Sequence, residues 1–121
     1  MPLRYPEKMI DSCLKMYANR NIRDDFGRYV GFLEIDWVFC LTRASRQTPH
    51  RFSEIRQVLE AFAVEYVRYL DSLDPETDDG MNDLHMLFGA VCCLAELQQA
   101  LPGKIRSRVP LKLVLDRRPF I

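Results

Sequence analysis

The sequence predicts an all-α protein: four main helices in two antiparallel hairpins, a bundle or part of an α/α toroid, with a short extended C-terminal tail. Two stretches carry that prediction. From Phe52 to Leu73, the residues Ile55, Val58, Leu59, Phe62, Tyr66, Tyr69, Leu70 and Leu73 recur at helical spacing, while Glu54, Arg56, Gln57, Glu60, Glu65 and Arg68 take the other faces. That is the pattern of an amphipathic helix with one solvated side. From Asn82 to Leu101 the chain is apolar on nearly every side, with His85, Glu96, Gln98 and Gln99 as the polar exceptions after Leu84. A helix of that kind is expected to be wrapped by its neighbours, so the core is expected to form around it. Asp83, His85 and Glu96 interrupt the run, which argues against a membrane span.

The remaining elements follow from local chemistry. Pro6 suits a first helical position, and Glu7 favours the positive end of the helix that follows. Met9, Ile10, Cys13, Leu14 and Tyr17 then share one face, which predicts a helix over 6–20. Residues 22–31, with Asp25, Gly27 and Gly31, read as a loop. The second helix is expected over 32–47, with Ile35, Val38, Phe39, Leu41 and Thr42 on its apolar side, widened by Trp37 and Cys40. Thr48-Pro49-His50 ends it, and the third helix spans 52–73. Asp74 to Gly80 is turn chemistry, after which Asn82 or Asp83 can cap a fourth helix over 82–101. Pro102-Gly103 stops that helix. In the tail, 104–121, Leu111, Leu113 and Leu115 alternate with Lys112 and Val114, as in an extended segment lying on the helices.

With 121 residues, one domain spanning 1–121 is expected. Seventeen basic and seventeen acidic residues cancel, so net charge points to neither nucleic acid nor an anionic membrane. The charge is segregated all the same. Asp71 to Asp83 carries only acids, whereas Arg43 to Arg56 and Lys104 to Arg118 are mainly basic. Such segments are expected to meet within the fold or across a subunit contact. The four cysteines lack CxxC spacing and sit in apolar patterns, which predicts buried, reduced thiols and, with no leader-like N-terminus, a cytoplasmic location.

Chemistry-bearing patterns are sparse. Placing Gly80 at the sixth position of a calcium loop puts Pro75 first and Met86 twelfth, where acids are required, so no EF-hand is expected. Two histidines and scattered cysteines give no zinc spacing, and phosphate-loop, dinucleotide and serine-hydrolase motifs are lacking, so neither a metal nor a cofactor is expected. Candidate catalytic positions are Asp36, Asp83 and His85. The two aspartates form a pair only if the second and fourth helices start at the same end, and His85 is a possible general acid or base. Trp37 beside Asp36 is a candidate sugar platform. Arg43, Arg46, His50 and Arg51 are candidates for holding an anion near the second turn.

Two strings, IDWVFCLTRASRQT at Ile35–Thr48 and NDLHMLFGAVCCLAELQQALPG at Asn82–Gly103, followed by PLKLVLDRRPFI, resemble the closing helical hairpins of bacterial six-hairpin (α/α)-toroid glycosidase-like proteins. The resemblance implies a partial toroid and a carbohydrate-active domain or fragment using carboxylates near Trp37. It carries no catalytic motif. The residues themselves favour a non-catalytic assembly or interaction domain, either a homo-oligomer or a partner of another protein, because four helices leave part of the second or fourth uncovered.

Overall fold

A computed structural model describes residues 4–19, 32–74, 76–77 and 83–105. Over these the chain forms four helices: α1 (Pro6–Asn19), α2 (Leu33–Ser45), α3 (Phe52–Asp71) and α4 (Leu84–Ala100). The all-α class is as expected, and no helix end departs by more than two residues from the periodicity. The caps explain the small differences. Asp83 rather than Asn82 starts α4, accepting from the backbone N–H of His85 at 2.9 Å and of Met86 at 3.3 Å. At the end of α2 the Arg46 N–H donates to Thr42 O, and at the end of α3 the Ser72 N–H donates to Arg68 O. The expected loop at 22–31 and the extended tail beyond Ile105 lie outside the described residues.

Cross-chain contacts set the direction of each helix. Tyr17 lies on Trp37, with ring centroids 5.4 Å apart, and Asp11 meets His50, so α1 runs antiparallel to α2. Trp37 meets Phe62 at 5.1 Å, and the start of α3 lies beside the end of α2, so these two are also antiparallel. Phe32 meets His85 at 4.3 Å, while Arg43 reaches Glu96. Both pairs carry the same sequence offset, which makes α2 and α4 parallel. Direction therefore alternates from helix to helix, but the expected pairing of the third helix with the fourth is loose, because α4 packs far more closely on α2 than on α3.

The organising helix differs from the one the sequence suggests. It is α2 that packs against α1, α3 and α4, whereas α4 packs chiefly on α2. The physical reason is that α2 buries residues on several sides (Glu34, Ile35, Trp37, Val38, Leu41, Ala44), while the described residues leave one apolar side of α4 uncovered. The core gathers Ile10 and Leu14 of α1, the α2 set, Leu59, Phe62 and Tyr66 of α3, and Cys93 and Leu97 of α4. Four rings from three helices, Tyr17, Trp37, Phe62 and Tyr66, run through it with neighbouring centroids 5.1–5.4 Å apart. The Trp37 indole N–H donates to Cys13 O at 3.0 Å, so its single polar group is satisfied inside. No helix among the described residues is long and apolar enough to cross a membrane.

Candidate functional site

Of the basic candidates around the end of α2, Arg43, His50 and Arg51 face carboxylates. Arg43 projects from α2 toward α4 and forms a two-pronged pair with Glu96, Nη1 to Oε2 at 3.0 Å and Nη2 to Oε1 at 2.8 Å. Phe39 lies under the guanidinium, 4.3 Å from ring centroid to Cζ. The Glu96 carboxylate is 1% exposed and takes a further long contact from Thr42 Oγ1 at 3.5 Å. Removing such a carboxylate from water is compensated by fork-to-fork geometry of this kind. Arg43 is thus committed to joining α2 to α4.

Arg51 occupies the left-handed backbone region (φ 53°, ψ 32°) as the residue before α3, a strained position for a side chain with a Cβ. Its guanidinium is held on two sides, by Asp11 of α1 at 3.0 Å and by Glu54 at 2.6 and 3.2 Å. His50 Nε2 lies 2.8 Å from the same Asp11 oxygen. Hydrogen bonds from His50 and then Arg51 hold the Asp11 carboxyl below its usual value, and the Arg51 hydrogen bond does the same for Glu54. This solvent-facing cluster fastens α1 to the turn between α2 and α3. Arg46 is exposed and lines a shallow groove with Phe52, Ile55, Arg56 and Leu101.

The carboxylate candidates meet one condition and lose another. Because α2 and α4 are parallel, Asp36 and Asp83 do belong to the same end of the bundle. Asp36 is exposed, with its pKa raised by partial burial alone, and Asp83 is engaged as the α4 cap. Trp37 is 4% exposed and clasped between Tyr17 and Phe62, so it offers no face to a sugar. His85 is exposed at the first turn of α4, with its ring against Phe32.

The cysteines are placed for packing rather than chemistry. Cys13, Cys92 and Cys93 are buried and Cys40 partly so, and all four are free. Burial pushes the Cys13 thiol up to about 11 and raises those of Cys40, Cys92 and Cys93, so each stays protonated and weakly nucleophilic at neutral pH. Glu34, Tyr66 and Cys93 form a fully buried polar group between α2, α3 and α4, and burial raises the Tyr66 phenol well above its usual range. Among the described residues no cluster of three or more His, Cys, Asp or Glu side chains suits a metal ion.

Among the described residues, the outer face of α4 stands open. Leu84 is 83% exposed, Phe88 44% and Val91 49%. They fall at i, i+4 and i+7, a single stripe along the first half of the helix. The stripe closes toward the other end. Ala95, next on that line, is buried, and Gln98 beyond it donates to Ile105 O at 3.1 Å as the chain turns back. No acid or base other than His85 and the buried Glu96 occurs anywhere in α4. The helix was legible in the sequence, but which of its apolar sides would lack a neighbour was not. Asp11 and Glu54, which occupy the cationic candidates, also went unmarked, since nothing in the sequence joins Asp11 to residues 39 and 40 positions away.

Comparison of the chain with known protein families, curated proteins and solved structures finds no match.

Proposed function

We propose that this chain is a small helical assembly domain without catalytic activity of its own, self-associating through the outer face of α4. The observation that carries this reading is the stripe of Leu84, Phe88 and Val91, exposed to water on the most apolar helix of the fold. Covering each of these side chains contributes roughly 1–2 kcal/mol, allowing for the part that is already buried. Contiguous apolar surface of this kind marks an interaction site more often than a scattered exposed leucine does.

The alternatives have less support. A glycosidase-related reading depends on Trp37, whose ring is used within the core, and an anion-binding reading depends on Arg43, His50 and Arg51, which already face carboxylates. Backbone amide spectra recorded over a hundredfold range of protein concentration test the proposal. Shifts or broadening concentrated at Leu84, Phe88 and Val91 are expected. If concentration moves instead the amides around Tyr5, Phe52 or Val64, strongly exposed apolar positions elsewhere among the described residues, the α4 face is not the contact.

A further inference from the structure

A groove of about 550 Å³ runs along α3 beside the turn that follows α4. Ala63, Val64 and Val67 line it from α3, and Leu101 and Ile105 from the turn. Val64 is 57% exposed there. We propose that residues 106–115 of the same chain fill this groove, laid extended along α3 from Ile105 toward Asp71. The inference goes beyond the use of α4 and does not depend on it.

Continuity of the chain is the first feature that singles out this occupant. Gly103 takes the left-handed φ of 79° that favours glycine, and the Lys104 N–H donates to Leu101 O at 3.1 Å, so the chain reverses after α4. Gln98, in the last turn of α4, then donates to Ile105 O at 3.1 Å. Ile105 has thus doubled back beside α4, in the sense in which α3 runs, and already lies in the groove. The segment that follows is tethered at the site, and an outside segment must compete with an effective concentration on the order of millimolar.

Length, register and charge agree with it. The α3 edge of the groove runs from Glu60 to Asp71, roughly 16 Å of helix. Residues 106–115 in extended form reach roughly 33 Å, enough to traverse it and pass Asp71. The two-residue period counted from Ile105 places Val109, Leu111, Leu113 and Leu115 on the same side as Ile105, with Arg106, Arg108 and Lys112 on the other. The residue that already lines the groove therefore turns the apolar side of the strap inward. At the rim Glu60 and Asp71 balance Arg68 and Lys104. Past Asp71 the next charges along the chain are Asp74 and Glu76, and the strap carries its basic residues toward them.

The test reads methyl contacts in the full-length chain labelled on valine and leucine. A sample mixed from labelled and unlabelled chain separates contacts within one copy from contacts between two. Contacts within one copy from Val109 and Leu111 to Val64 and Val67 are expected. Val64→Glu should remove them and speed trypsin cleavage after Lys112 by about tenfold. Val64→Leu, and Val91→Glu on α4, should leave both readouts as in the unaltered chain. A circular dichroism spectrum unchanged by Val64→Glu, expected at so exposed a position, ties the loss to the strap rather than to the fold. Contacts from 109–115 to Leu84, Phe88 or Val91, contacts that run only between copies, or no contact from 109–115 to any helix would each overturn the assignment. A chain that stays monomeric would count against the use of α4 alone, since none of these readouts requires association.

Discussion

The two sides of α4 are built from similar residues and do different things. On the inner side Cys93 and Leu97 are fully buried, Cys93 beside Tyr66 of α3, and Glu96 is locked to Arg43 of α2. On the outer side Leu84, Phe88 and Val91 meet water. Hydrophobicity alone does not say which side of a helix forms the core, because that depends on where neighbours lie. The contrast teaches that the described residues cover α4 on one side, and that stability is expected from that side and the proposed association from the other.

The largest expected effect is at the inner side. Glu96→Ala removes the buried carboxylate that joins α4 to Arg43 of α2 and should cost about 4 kcal/mol of stability in urea unfolding, the usual result of removing one partner of a buried pair. The double variant Arg43→Met, Glu96→Leu should recover most of that loss, since it removes both charges and keeps the volume. Leu97→Ala, one residue on, should cost about 3 kcal/mol through the cavity it opens in the core.

Phe88→Ser belongs to the outer side and inverts the pattern. Monomer stability should change by less than about 1 kcal/mol, while the association constant read by light scattering should fall by at least tenfold. A loss as large as that of Leu97→Ala would mean that the two sides are not divided in this way.

The smallest effect concerns the other ion-pair region, the exposed Asp11–His50–Arg51–Glu54 cluster. Asp11 and Glu54 have carboxyl pKa values lowered in the folded state by their hydrogen bonds. Their stabilisation is fully present above the ordinary carboxylate range and is lost as pH falls through the lowered values, that is, below about pH 4. Asp11→Asn should therefore flatten the acid limb of a stability-against-pH curve and leave the curve near pH 7 little changed, because exposed pairs contribute little. A large loss at pH 7 would make this surface cluster the equal of the buried one.

The fold was legible where physics is local. The helical spacing of Phe52–Leu73, the Pro6 start and the acidic cap before Leu84 all act within one or two turns, and they place the helix ends to within two residues. The parallel sense of α2 and α4 follows from alternation alone. The hub was not legible. Trp37, Leu41 and Ala44 look like one widened helix face in sequence, and only the three neighbours packed on them reveal α2 as the centre. The site was legible in its residues but not in their pairing. Arg43 and Glu96 stand 53 positions apart, and no spacing rule joins them, so an arginine bound in the structure reads in sequence as a candidate anion ligand. Trp37 misled for the same reason, since an aromatic beside an acid is a sugar platform only when its ring is bare.

The measurement that bears most directly on the role of α4 is the solution mass of the unaltered chain by light scattering, from micromolar to millimolar concentration. The expected mass rises with concentration and levels off above that of one chain. A mass that stays at one chain throughout would contradict it, and would mean that the Leu84–Phe88–Val91 stripe stays in water with no second copy to cover it.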